Sequence, residues 1–172
     1  MKPFSLFAAC AFALLLAACG TTNDQNAGAP VEGRDAVTRV DADGMTSGRL
    51  PAALTDPSSP LSKRSIYFAL DRYDVSGDYS ALVAAHARFL TENPSYKILI
   101  QGNTDERGSR EYNLSLGQKR ADAVRRAMML LGVKDDQIEA VSLGEEKPRA
   151  EGHDESAWSE NRRADILYPG EY

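Results

Sequence analysis

The segment from residue 102 to 121, GNTDERGSREYNLSLGQKRA, constrains the fold more than any other part of the chain. It joins the end of an apolar strand pattern to the start of an amphipathic helix. Between residues 109 and 131, apolar and small residues recur at helical spacing and form a stripe that should face a core. Arg120 lies inside that stripe. A buried arginine without a partner is costly, so the pattern predicts an anion close to Arg120.

Two candidates for this anion follow from the sequence. Asp105, on the loop before the helix, can form a structural ion pair with Arg120, or the carboxylate of a bound ligand can meet the guanidinium. A carboxylate and an arginine together suit a small zwitterion, and backbone N–H groups near Ser109 would add donors for its anionic group. Glu106 and Arg107 are either solvated loop charges or part of a partner surface.

The residues after position 61 predict one domain of the α+β class. Their patterns alternate in the order β-α-β-α-β-β, and both helices can cover one face of a small mixed sheet, which gives a two-layer sandwich. The predicted strands span residues 65–70, 96–101, 137–143 and 163–168, the predicted helices span 78–93 and 109–131, and a polar loop spans 144–160.

The first residues have the pattern of a bacterial export signal. An apolar run from Phe4 to Ala18 is shorter than the about 20 residues that a membrane span needs. The sequence Leu16-Ala17-Ala18-Cys19 resembles the lipobox of bacterial lipoproteins, so we expect a signal peptide at residues 1–18 and acyl chains on Cys19. Ordinary secretion with cleavage after a small residue is the alternative. By resemblance to other lipoproteins, the absence of Asp at position 20 implies export to the outer membrane.

Residues 19–60 differ in composition from the rest of the chain. They are polar, are punctuated by glycine and proline, and hold no aromatic residue, so they cannot bury enough apolar surface to offset chain entropy. We expect a flexible tether here, with at most a short strand or turn near residues 49–54. The predicted organisation is therefore a signal peptide at 1–18, a lipidated cysteine and tether at 19–60, and a folded domain at 61–172.

The residue inventory favours binding over catalysis. His86 and His153 lack the spacing of metal ligands, no serine lies in a nucleophile elbow, and Cys19 would be acylated. Asp105 and Glu106 are adjacent, and neighbouring loop residues usually point to different sides, which disfavours glycoside hydrolysis. The net charge of −5 disfavours nucleic acid. We expect no catalytic residue, metal or cofactor, and we expect His86 to be a core histidine with satisfied ring nitrogens.

Residues 66–168 resemble the OmpA-like peptidoglycan-binding domain and, within it, the peptidoglycan-associated lipoproteins. The resemblance rests on many short segments in fixed order, and it covers the whole predicted domain. One departure is Leu70, which stands where the family usually has phenylalanine, so an aromatic ligand contact at that position is open. The matching segments include IYF at 66–68, LDRYD at 70–74, NPSYK at 93–97, GNTDERG at 102–108, EYN at 111–113, RADAV at 120–124, GEEKP at 144–148 and NRRA at 161–164.

This resemblance implies non-covalent binding of the meso-diaminopimelate residue in peptidoglycan stem peptides. Asp105 would bind its ammonium and Arg120 its carboxylate. Each further position carried over from the family also has a structural alternative, such as a turn, a backbone hydrogen bond or a place in the core. These further positions are Asp71, Asn103, Thr104, Asn113 and Leu116.

The resemblance also implies protein partners and a place in the cell. TolB and other Tol proteins would bind the domain as part of the Tol-Pal system, which acts in envelope integrity and cell division. The lipid would sit in the outer membrane and the domain in the periplasm, with no role for nucleic acid. The alternative is an OmpA-like lipoprotein that binds peptidoglycan but has no role with the Tol proteins.

Overall fold

The structure is a computed structural model, and it describes residues 50–172. The predicted signal peptide, Cys19 and most of the tether lie outside these residues. No helix within 50–172 is long and apolar enough to cross a bilayer. The elements are α1 (Ala52–Thr55), β1 (Ser65–Tyr67), α2 (Ser80–Glu92), β2 (Ile98–Asn103), α3 (Arg110–Leu130), β3 (Ile138–Gly144), α4 (Glu155–Asn161) and β4 (Arg163–Leu167), with short 3-10 turns at Pro60–Ser62, Gly77–Tyr79 and Asp135–Gln137.

The four strands form one mixed sheet in the order β1-β4-β2-β3. β2 and β3 are parallel, which requires a crossover connection, and the long helix α3 provides it. β4 is antiparallel to both of its neighbours, β1 and β2. The predicted α+β fold with a small mixed sheet is confirmed.

The core lies between one face of the sheet and the helices α2 and α3. Ile66, Ile100 and Ile166 from three strands are fully buried, as are Leu90 of α2 and Val124 of α3. Burial alternates along β2 until its last residues, as expected for a strand with one face on the core. The helix periodicity that predicted α2 and α3 reflects this shared core.

Most predicted boundaries agree with the structure to within two residues, and two regions differ more. The first strand ends at Tyr67, because the chain turns at residues 69–72, where the Arg72 N–H donates to the Ala69 carbonyl at 3.1 Å and Asp71 has φ 54°. The predicted polar loop at 144–160 contains α4, whose N-cap Asp154 accepts a hydrogen bond from the Ala157 N–H at 3.0 Å. With seven residues, α4 is too short for a clear periodic pattern.

The packed residues begin before position 61. Leu54 on α1 is 2% exposed and belongs to the same core as Leu61, and Arg64 Nη2 donates to the Leu54 carbonyl at 3.0 Å. The short strand or turn expected near residues 49–54 is therefore a helical turn that packs on the domain. The apolar side chain of Leu54 accounts for this, since it gains free energy by leaving water.

His86 is a buried histidine with both ring nitrogens bonded. Nε2 donates to the Lys63 carbonyl at 2.9 Å, so Nδ1 accepts the hydroxyl proton of Tyr168, also at 2.9 Å. Burial lowers the pKa of His86 to about 4, so the ring is neutral at physiological pH. The expectation of a satisfied core histidine is confirmed.

Candidate functional site

Helix α3 crosses β2 at two glycines, Gly117 on the helix and Gly102 on the strand. A Cβ on Gly102 would overlap the carbonyl oxygen of Gly117, and a Cβ on Gly117 would overlap Ser142 Oγ. Only glycine at both positions permits this close approach. The crossing holds Asn113 and Arg120 of α3 above the loop that follows β2.

The loop between β2 and α3 begins at an irregularity in the sheet. The register between β2 and β3 shifts between Gly102 and Asn103, and a bulge of this kind re-aims the residues that follow it. The N–H of Thr104 donates to the Gly144 carbonyl at 2.8 Å, which holds the loop to β3. Ser109 then caps α3, because its hydroxyl accepts the Tyr112 N–H at 3.2 Å.

Arg120 is fully buried, and its partners are backbone carbonyls. Nε donates to the Arg72 carbonyl at 2.9 Å, Nη1 to the Asn103 carbonyl at 2.9 Å and Nη2 to the Ala69 carbonyl at 3.3 Å. Burial lowers its pKa to about 10, so the guanidinium stays cationic at neutral pH. The ion pair with Asp105, one of two expected partners, does not form in the part of the chain that the structure describes.

Asp105 is buried and bonded to two other arginines. Its carboxylate accepts Arg107 Nη2 at 2.6 Å, Arg107 Nε at 3.3 Å and Arg162 Nη1 at 3.3 Å. Burial raises the pKa of Asp105, but the hydrogen bonds from Arg107 and Arg162 lower it further than burial raises it. Asp105 is therefore a carboxylate at neutral pH.

Arg162 is a site residue that the sequence reasoning missed. It is 5% exposed, and its Nε donates to the Phe68 carbonyl at 3.0 Å while Nη2 donates to Glu155 at 2.5 Å. Its signal in the sequence is the pair Arg162-Arg163 directly before an apolar strand pattern. Arg163 has a structural partner, since its Nε donates to Asp165 at 2.9 Å.

These residues enclose a cavity of about 10 Å³, room for about one water molecule. Six of the seven residues expected to bind ligand line it, and the seventh, Asn103, contributes the backbone carbonyl that holds Arg120. The lining residues are Leu70, Asp71, Thr104, Asp105, Arg107, Asn113, Leu116, Arg120 and Arg162.

Some of the smaller polar side chains have hydrogen-bond partners and others do not. Asp71 accepts a hydrogen bond from the Tyr112 hydroxyl at 3.0 Å, and the Asn113 amide donates to Glu145. Thr104 Oγ1 and Asn103 Oδ1 are buried and have no hydrogen-bond partner among residues 50–172. Buried polar atoms are usually bonded, so these two unbonded oxygens are notable, and Thr104 is one of the residues that line the cavity.

An aromatic residue and two charged residues form the outer rim. The guanidinium of Arg107 stacks on Trp158, 4.0 Å from the ring centroid. Glu106 accepts Trp158 Nε1 at 2.9 Å and His153 Nδ1 at 2.7 Å. These hydrogen bonds lower the pKa of Glu106, and the bond to Glu106 raises the pKa of His153. Glu106 and Arg107 are therefore bonded at the rim rather than fully solvated.

The loop at residues 145–154 is fastened to the outer face of the sheet. Asn161 Oδ1 accepts the N–H groups of Arg149 and Ala150 at 2.7 and 3.1 Å. Arg149 Nη1 donates to Ser65 Oγ at 2.8 Å and to the Tyr67 hydroxyl at 2.9 Å. This fastening holds the loop that carries two rim contacts, those of Glu145 and His153.

The charges of the cavity define what it can bind. Three arginines line the cavity with two carboxylates, those of the exposed Asp71 and the buried Asp105, so the lining has one positive charge in excess, which suits an anion. The Asp105 carboxylate can bind a cationic group on the same ligand. No group of three metal-ligating side chains occurs among the residues that the structure describes.

Sequence comparison identifies relatives of the whole chain. The model of the OmpA family matches residues 67–162. The peptidoglycan-associated lipoprotein of Pseudomonas putida is 38% identical over 167 residues, which cover 96% of this chain and 98% of that protein. The peptidoglycan-associated lipoprotein of Pasteurella multocida is 50% identical over 104 residues, which cover 60% of this chain and 69% of that protein.

Solved structures agree with these relatives. The crystal structure of the peptidoglycan-associated lipoprotein from Burkholderia pseudomallei is 64% identical with a TM-score of 0.67, and the match covers 67% of this chain and 98% of that one. The C-terminal domain of Helicobacter pylori MotB has a TM-score of 0.57 over 62% of this chain and 84% of its own. At 20% identity, this second likeness shows a shared fold alone.

Proposed function

Because this chain belongs to the OmpA family and, within it, to the peptidoglycan-associated lipoproteins, we propose that its domain binds the meso-diaminopimelate of peptidoglycan stem peptides. Like these relatives, the chain is a structural binding protein and not an enzyme. The bond to peptidoglycan is non-covalent, and it fixes the domain to the cell wall.

The observation that carries this proposal is the buried carboxylate of Asp105 beside two buried arginines, Arg120 and Arg162. The free end of meso-diaminopimelate bears an ammonium and a carboxylate on one carbon. Each guanidinium has five N–H donors, and Arg120 and Arg162 each use three of them within residues 50–172. The unused donors bind the ligand carboxylate, and Asp105 binds the ammonium.

The remaining lining residues complete the proposed site. Thr104 Oγ1 gains a partner from the ligand, and Leu116 contacts the methylene chain that joins the two ends of diaminopimelate. Asp71 and Asn113 also line the cavity, and both are already bonded to other side chains. Asn103 acts through its carbonyl, which orients Arg120.

We further propose that the domain is anchored in the outer membrane. Residues 1–18 serve as a signal peptide, Cys19 carries the lipid, and the tether spans the distance to the domain in the periplasm. The membership of the chain among lipoproteins supports the anchor. Leu54 packs in the core of the domain, so we place the end of the tether near that residue.

A role with TolB and other Tol proteins, in envelope integrity and cell division, is the final part of the proposal. Its support is the exposure of large apolar side chains at the cavity mouth: Leu70 is 52% exposed, and Tyr73 and Tyr112 are each 46% exposed. Aromatic residues of this kind anchor protein interfaces.

TolB bound at the mouth excludes peptidoglycan, so a ternary complex with undiminished affinities contradicts a shared surface. Failure to co-purify with TolB favours the alternative, an OmpA-like lipoprotein without a Tol role.

The test of peptidoglycan binding is co-sedimentation of residues 20–172 with diaminopimelate-type peptidoglycan. Asp105→Asn should lose most of the binding, because the amide cannot neutralise an ammonium. Asp74→Asn is the matched control, since Asp74 is an exposed carboxylate that pairs with Arg72 outside the cavity. Lysine-type peptidoglycan, which lacks the carboxylate at the free end, should bind poorly. Binding that is the same in wild type and Asp105→Asn, and the same on both types of peptidoglycan, contradicts the proposal.

A further inference from the structure

Arg107 occupies the position that a ligand ammonium needs. Its Nη2 and Nε both bond to Asp105, at 2.6 and 3.3 Å. The cavity of about 10 Å³ has no room for a carbon with two charged groups while Arg107 stays in place. Some lining side chain must therefore move before a zwitterion can enter.

The arginines of the cavity differ in their freedom to move. The side chains of Arg120 and Arg162 are held by backbone carbonyls, and the Arg162 side chain is only 7% exposed. The Arg107 side chain is 33% exposed and bonds to no backbone carbonyl among the described residues. Arg107 is therefore the cation that can leave.

Two groups outside the cavity can receive the displaced guanidinium. It already stacks on Trp158 at 4.0 Å, and Glu155 Oε2 lies 3.8 Å from its Nη2. The carboxylate of Glu155 is 65% exposed and bonds Arg162 through Oε1, so its Oε2 can accept the displaced guanidinium. Moving from Asp105 to Glu155 keeps an ion pair for the guanidinium and changes its position over the Trp158 ring.

We propose that Arg107 is an internal competitor of the ligand ammonium and sets the selectivity of the site. This inference rests on the proposed binding of diaminopimelate at Asp105. A ligand with an ammonium replaces one cation on Asp105 by another, so the buried carboxylate keeps its charge partner. A ligand without an ammonium displaces Arg107 and leaves Asp105 short of a partner, which is costly for a buried charge.

The test uses a graded series at position 107 in residues 20–172, with the tripeptide L-Ala-γ-D-Glu-meso-diaminopimelate as the probe. Arg107→Gln removes the competing charge and keeps a side chain that can cover Trp158. Arg107→Lys keeps the charge but lacks the planar fork that bonds Asp105 twice. Affinity measured by calorimetry should rise by about three- to fivefold in Arg107→Gln, the upper part of the range for a partly exposed ion pair, with Arg107→Lys in between.

A second readout follows displacement directly. The chain has one tryptophan, Trp158, so intrinsic tryptophan fluorescence reports on the ring that Arg107 covers. Saturating probe should change this fluorescence in the wild type. The change should be lost in Arg107→Gln although that variant binds the probe.

Arg110→Gln is the matched control. Arg110 begins α3, is 74% exposed and pairs with Glu146 at 2.7 Å outside the cavity. The Arg110→Gln variant loses the same charge near the mouth of the cavity. Its affinity for the probe should stay within about twofold of wild type because exposed charges are screened.

The outcomes separate this inference from the proposed function. Weaker or unchanged binding in Arg107→Gln, with wild-type binding that still requires Asp105, overturns competition and makes Arg107 a ligand contact or a bystander. Unchanged Trp158 fluorescence in a saturated wild type also overturns it. Equal affinities for the probe in wild type and Asp105→Asn contradict the binding site itself.

Discussion

At the scale of single residues, Arg120 shows how a buried cation is stabilised without an ion pair. Its three carbonyl acceptors belong to two parts of the chain, the turn after β1 and the end of β2. The guanidinium therefore joins these two segments. In the proposed site it also faces the ligand, so structural and binding roles meet in one side chain.

Arg120→Ala should lower stability as well as peptidoglycan binding. The substitution removes the donor from three carbonyls, of which that of Ala69 keeps the Arg72 N–H as a partner. An acceptor left unpaired costs about 1 kcal/mol or more, so the loss from the other two should be about 2 kcal/mol or more. Urea unfolding of residues 20–172 measures it. Arg126→Ala, on the exposed side of the same helix, should change stability by less than about 0.5 kcal/mol. Equal stabilities of the two variants would show that the carbonyl contacts are not important.

His86 should make the domain less stable in mild acid. Its pKa falls from 6.5 to about 4 on folding, so below pH 6.5 the unfolded chain takes up a proton that the folded chain does not. The free energy of unfolding should fall by about 3 kcal/mol as pH drops from 6.5 to 4. Outside this range, His86 should add no further pH dependence. Urea midpoints across this range measure the decline.

The control for this pH effect compares two histidine variants. His86→Gln should flatten the slope between pH 6.5 and 4, whatever its absolute stability. His153→Gln should keep the slope, because the pKa of His153 is raised and its pair with Glu106 is lost only as pH rises through that raised value. A slope that survives in His86→Gln would assign the acid sensitivity to other groups.

At the scale of elements, the crossing of α3 over β2 sets the geometry of the site. Gly117→Ala should destabilise the domain by about 2 kcal/mol, although alanine is usually the better helix residue, because its Cβ overlaps Ser142 Oγ. Peptidoglycan binding should fall too, since α3 must shift. Gly77→Ala, where a Cβ meets nothing within 4 Å, is the matched control and should be near neutral. Thermal unfolding and co-sedimentation of both variants test this.

The elements also show what the sequence could predict. Periodicity located α2, α3 and the strands, because these elements bury a continuous apolar face. It missed α4, whose seven residues carry few apolar side chains, and it placed Arg120 in the core without its partners. Hydrogen bonds to backbone carbonyls leave no residue-type signal, so the carbonyl acceptors of Arg120 and Arg162 could not be predicted. The local sequence pattern predicted the positions of the site residues, whereas tertiary packing determines their hydrogen-bond partners.

At the scale of the whole molecule, the tether and the binding site act together in the proposed function. About 35 residues separate Cys19 from Leu54, enough for a root-mean-square span of roughly 30 to 35 Å and a stretched length of about 115 to 125 Å. A lipid-anchored copy held near the wall binds at high effective concentration. Many weak bonds of this kind then join two surfaces firmly.

Shortening the tether should weaken this joint action without changing the site. Deleting residues 24–43 leaves about 15 residues before Leu54 and a stretched length of about 50 Å, so fewer anchored copies can reach the wall at once. Soluble residues 20–172 with and without the deletion should bind peptidoglycan equally. Vesicles that carry the lipidated full chain should capture peptidoglycan sacs well, with capture rising steeply with protein density, and vesicles with the shortened chain should capture fewer. Replacing the deleted residues by a Gly/Ser segment of equal length should restore capture, because reach and not sequence is what the tether supplies.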